Sequence, residues 1–234
     1  MSSSSASTEE KAIQYLEEKY DKEFEVMYAK EGSKLFEDLY GGDLITVHPK
    51  GEPEIVFTIQ EDGDGFVETY LPAKWAQELQ EKLTTNISKE LPPGTEFKLV
   101  LNKTRFKEDM SVEELLEKNK TMGVDLIVGI KTSGEPEISQ YSQGIYNLYN
   151  LLKDLGLKNY LLSVGFVDES EDISEFITTS YVNNISWSNL DANVYGELGI
   201  DERHNPDNPS SIVDSSLILH DVDNVKEHYM PLGE

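Results

Sequence analysis

Cysteine is absent from this 234-residue chain, which excludes disulfides, thiolate zinc sites and thiol catalysis but does not by itself assign a redox compartment. Long apolar runs are missing too. The longest candidates, Val124 to Ile130 and Tyr160 to Val167, are strand-sized and fall short of the roughly 18 to 20 residues that cross a bilayer. Positive charge is scarce: 20 Lys and Arg stand against 45 Asp and Glu, a formal charge of -25. No basic patch interrupts this excess, so a phosphate polyanion is repelled at long range and nucleic acid is excluded as a direct partner. The chain also carries no Walker loop, no dinucleotide-binding glycine pattern after a strand, no nucleophile elbow and no HExxH, which removes the best-marked enzyme classes. Glycosidase-type hydrolysis stays open, because two carboxylates at the right separation suffice for it.

What is present points to an α+β protein. With 38% hydrophobic and 9% aromatic residues, the chain has apolar material for one large core or two modest ones. Ser7 and Glu10 fit a capping box, and Ile13, Leu16 and Tyr20 recur at helical spacing, which predicts a helix from about Thr8 to Tyr20. Alternation at Phe24, Val26 and Tyr28, then at Ile45 and Val47, then at Ile55, Phe57 and Ile59, predicts a three-stranded antiparallel unit. After a turn at Glu61 to Gly65, Pro72 at a first helical position and the stripe Trp75, Leu79, Leu83 predict a closing helix. Leu91-Pro92-Pro93-Gly94 cannot continue a helix and sets the expected boundary between a first lobe, residues 8–91, and a second, residues 95–234.

The second lobe reads as a β-α-β-α-β unit with a mixed sheet. Its strands are Phe97 to Leu101, Val124 to Ile130 and Tyr160 to Val167. Its helices are one capped by Ser111 with Glu114 and a longer one whose stripe runs from Ile138 to Leu155, stopped at Gly156. Ile173 to Val182 fits either helix or strand. Asn183 to Ser211 reads as a long polar loop, followed by a short strand near Val213 to Leu219 and a brief helix from Asp221.

Several constellations carry candidate chemistry. His220, Asp223 and Glu227 fall at i, i+3 and i+7, so one helical face would gather them as ligands for a divalent cation, the one cofactor class considered. The competing reading makes Asp221 a helix N-cap with the rest solvated. Asp62 and Asp64, in Glu61-Asp62-Gly63-Asp64-Gly65, resemble the opening of a calcium loop but lack the distant bidentate Glu of an EF-hand, and a plain acidic turn explains them equally. His204, in a polar loop beside Arg203, offers a general base next to a cation, or ordinary surface chemistry. Tyr141, Tyr146 and Tyr149 would line a groove or pack at the core boundary. From Asn159 onward 2 basic residues face 15 acidic ones, a surface suited to solvent, to cations or to a basic protein partner.

Residues 1–7, Met1 followed by a Ser-rich run, read as a flexible tether. The sequence Glu10-Lys11-Ala12-Ile13-Gln14-Tyr15-Leu16-Glu17-Glu18-Lys19-Tyr20, then Phe24-Glu25-Val26 and Val47-His48-Pro49, resembles uncharacterised secreted and lipid-anchored proteins of Gram-positive bacteria over about the first 90 residues. The resemblance implies an extracytoplasmic, cell-surface lipoprotein, with Met1 in the place of a lipidated cysteine and the membrane reached only through that anchor; the alternative is a cytoplasmic chain. It implies a non-enzymatic binding or accessory role at the envelope, including immunity-type binding of another protein. The alternatives are a secreted hydrolase using paired carboxylates or a cation, and a structural surface module without a small ligand.

Overall fold

Ser7 opens the first helix as the sequence requires: its Oγ accepts from the Glu10 backbone N–H at 3.2 Å, and the Glu10 carboxylate takes the Ser7 N–H at 2.9 Å. In this computed structural model the described residues are 7–30, 43–63, 65–104 and 106–232. They fall in two compact units, residues 1–74 and 75–234. None of their helices is long and apolar enough to cross a membrane.

In the first unit, α1 (Thr8–Tyr20) buries Ala12 and Leu16. It is followed by the antiparallel sheet β1-β2-β3-β4, formed by Phe24–Lys30, Leu44–Pro49, Phe57–Asp62 and Gly65–Glu68. The fourth strand extends the three read from the sequence; its four residues are too few for alternation to show. Phe24, Phe57 and Tyr70 form the aromatic centre, with ring centroids 5.2 to 5.8 Å apart. Glu68 seals this core, accepting from Lys19 Nζ at 2.7 Å, the Tyr20 hydroxyl at 2.6 Å and the Tyr70 N–H at 2.6 Å. Burial alone would push its carboxyl up, but these donors outweigh burial and hold it below the usual range.

Helix α2 (Tyr70–Ser88) begins in the first unit, and from Trp75 onward it belongs to the second. There the Trp75 indole is fully buried and donates to the Met110 carbonyl at 2.8 Å. The division between units therefore falls between Lys74 and Trp75, ahead of the Pro-Pro-Gly segment. That segment ends the helix, with Gly94 at φ 83, because proline stops a helix wherever it stands, whether or not a core ends there.

The second unit is a five-stranded sheet, β5 to β9 in chain order: Glu96–Asn102, Gly123–Thr132, Asn159–Asp168, Val194–Asp201 and Tyr229–Pro231. Only the β6–β7 pair is parallel, and α4 (Ser142–Asp154) makes the crossover such a pair requires. Helix α3 (Val112–Lys118) precedes β6, capped by Ser111 as expected. Leu126, Val128 and Ile130 with Leu162, Val164 and Phe166 form a fully buried face. Tyr141 and Tyr149 pack edge-on against Phe166 and Tyr160 on that face, so these tyrosines serve the core.

One open reading of the C-terminal region is settled and three change. Ile173 to Val182 resolves to a helix, α5 (Ser174–Asn183). The polar stretch 183–211 contains strand β8, whose alternation is muted by Gly196 and Gly199. The segment Val213 to Leu219 is not a strand but carries a short 3-10 turn, Ser215–Leu217. The helix from Asp221 is also 3-10, Val222–His228, and the closing strand is Tyr229–Pro231.

Candidate functional site

Strand register places Ile127 and Gly129 of β6, Ser163 and Gly165 of β7, and Glu197 and Gly199 of β8 on the face opposite the buried one. Two of these glycines let an aromatic ring lie against the sheet. A Cβ on Gly165 would sit 2.2 Å from Trp187 Cδ2, and one on Gly129 would sit 2.3 Å from Ile173 Cδ1. Trp187, in a 3-10 turn after α5, is 3% exposed. Its ring packs at a tilt against Phe176, with centroids 4.5 Å apart, and it donates its indole N–H to Ser163 Oγ at 3.1 Å.

Beside this wall lies a pocket of about 250 Å³, floored by Ser163, Glu197 and Gly199. Phe176 and Ser180 of α5 line it with Trp187, while Ile185 and Met230, exposed large apolar side chains, also line it and so stand at its rim. Gly199 differs from Gly165: a Cβ there meets nothing within 4 Å, so the floor is open space.

Two polar groups in this apolar setting are uncommitted. Thr178 and Thr179 return their hydroxyls to the carbonyls of Ser174 and Glu175, both at 2.8 Å. The neighbouring Ser180 Oγ is buried with no hydrogen-bond partner among the described residues, an arrangement that costs free energy until something bonds it. The Glu197 carboxylate has no hydrogen bond or ion pair among the described residues, and burial pushes it above the usual range. The combination of apolar walls and a few convergent polar groups is that of a small-molecule site.

The residues singled out from sequence lie elsewhere. His220, Asp223 and Glu227 are exposed, and His220 precedes the turn that holds the other two. A 3-10 helix turns every three residues, so the i, i+3, i+7 pattern does not share a face in it. Asp221 is the N-cap, its carboxylate accepting from the Asp223 N–H at 2.9 Å. Asp62 is exposed at the end of β3, across from Gly65; Asp64 lies outside the described residues. Among the described residues no group of three His, Asp or Glu side chains is placed to hold a metal ion.

His204 is buried, not a loop base: its Nδ1 accepts from the Asp201 N–H at 3.0 Å and its ring meets that of His228 edge-on at 4.6 Å. Burial would raise the Asp201 carboxyl, but the Arg203 N–H and its forked guanidinium hold it well below the usual carboxylate range. His228 in turn approaches the Gly199 carbonyl through Nδ1 at 3.3 Å, which supports the back of the pocket floor. Burial first, then the neighbouring His204, push the His228 imidazole below its ordinary value.

Glu197, Ser180, Trp187 and Gly199 were not identified by sequence motifs. The signals that mark them are a tryptophan isolated in a polar stretch and glycines inside strands, which indicate close approach of another group. No protein-family model matches the chain, and no curated protein matches it. The chain is similar to the crystal structure of a DUF5037 family protein from Ruminococcus gnavus ATCC 29149, with 16% identity, a TM-score of 0.43, and 94% of this chain and 88% of that chain covered.

Proposed function

We propose that this chain is a binding protein whose second unit takes a compact, largely apolar small molecule between Trp187 and the floor at Gly199. The observation that carries this reading is the Glu197 carboxylate, without a partner among the described residues, on the floor of one apolar pocket. At about 250 Å³ the space lies just under the roughly 300–1,000 Å³ of drug-sized sites, which suits one ring or a short branched chain. Binding needs only the groups the pocket has. Hydrolysis through paired carboxylates needs a second acid, and Glu197 is the one carboxylate among the described lining residues.

Gly199→Val tests the reading, because its side chain enters open space and valine suits a strand better than glycine. A fragment screen read by tryptophan emission should find single-ring ligands for the natural chain. The variant should lose them while keeping or raising its Tm. Fragments that bind both proteins equally would place binding elsewhere and defeat the reading.

A further inference from the structure

We infer that the ligand of this pocket is an organic ammonium, a protonated amine carried on one small apolar body; this rests on the binding reading above. Three independent observations converge on it. Glu197 is an anion with no cation beside it: none of the pocket-lining residues is Lys, Arg or His. An anionic ligand head would therefore meet a desolvated carboxylate with no counter-charge, whereas an ammonium would supply the missing partner. The long-range field acts in the same direction, since the chain carries -25 and its last 76 residues hold 15 acidic against 2 basic groups; such a surface gathers cations and repels anions. A hydroxyl on the pocket floor fits as well. Ser163 Oγ already accepts from the Trp187 indole at 3.1 Å and retains a second lone pair. An ammonium with three N–H donors can bond Glu197 and such a hydroxyl oxygen together.

The amine's preference should weaken as pH falls, because protonating Glu197 removes the charge that selects it. Burial places that loss at higher pH than for an ordinary glutamate.

The test uses three probes of matched size, 2-phenylethylamine, 2-phenylethanol and 3-phenylpropionate, titrated calorimetrically into the full chain and into Glu197→Gln and Gly199→Val. In the natural chain the amine should bind about tenfold or more tighter than the alcohol, with the carboxylate weakest. Glu197→Gln should bring amine and alcohol to near parity, with an unchanged Tm and tryptophan emission showing the variant to be folded. Gly199→Val should abolish all three. An amine no tighter than the alcohol, or an amine preference that survives Glu197→Gln, overturns the ammonium assignment while the binding reading stands. No heat from any probe in the natural chain defeats the binding reading itself, and the assignment with it.

Discussion

The side chains that matter are those whose surroundings leave a chemical need unmet. Asp125, on the same sheet face as Ser163 and Gly165, shows how such a need becomes measurable. Burial raises its carboxyl from 3.8 to about 6, against the opposing hydrogen bond from Asn102 Nδ2 at 2.9 Å. Because the folded value lies above the unfolded one, ionising Asp125 costs stability progressively from about pH 4 to about pH 6, and fully above that. Asp125→Asn keeps an oxygen to accept from Asn102 and removes the charge. The variant should therefore be more stable at pH 7, by on the order of 1–2 kcal/mol, with the advantage vanishing near pH 4. Urea unfolding at the two pH values measures it, and an advantage that is unchanged or larger at pH 4 contradicts the assignment. None of this was readable from sequence, since an acidic residue among 45 becomes distinctive only through what folding packs around it.

At the scale of elements, two glycines on neighbouring strands make opposite predictions. Gly199 faces open space, so enlarging it should be tolerated. Gly165 lies under Trp187, so Gly165→Ala should push the indole off the sheet, lower stability by about 1–3 kcal/mol and shift the tryptophan emission to the red. An unchanged Tm and spectrum would mean that the ring does not rest there. Elements with their own local signal were legible in advance. The capping box at Ser7, the strand alternation of Val124 to Ile130 and the run Tyr160 to Val167 all lead to the elements the structure contains. The elements that build the pocket were not. Strand β8 spends two of its eight positions on glycine, and the 3-10 turns that carry Trp187 and His228 lack the 3.6-residue period that betrays a helix. The chain gives up local pattern at the places where it brings other groups against the sheet.

For the whole molecule, the two units are separate cores. The first, residues 1–74, closes on its aromatic cluster, and the second, residues 75–234, carries an apolar face for α4 and a glycine-bearing face for the pocket. The acidic excess identified in the sequence acts at this scale, as the field in which the pocket selects its ligand. The chain has two tryptophans, both in the second unit, and only Trp187 lines the pocket. Trp75 is fully buried with its indole N–H held by the Met110 carbonyl, so it serves as an internal reference. The most direct measurement of the central claim is a ¹H–¹⁵N spectrum of the two indole N–H signals during titration with 2-phenylethylamine. The Trp187 signal should move in a saturable way while that of Trp75 stays still, and the movement should vanish in Gly199→Val. Two signals that both stay fixed, or a Trp187 shift that persists in Gly199→Val, would contradict the pocket as the site of function.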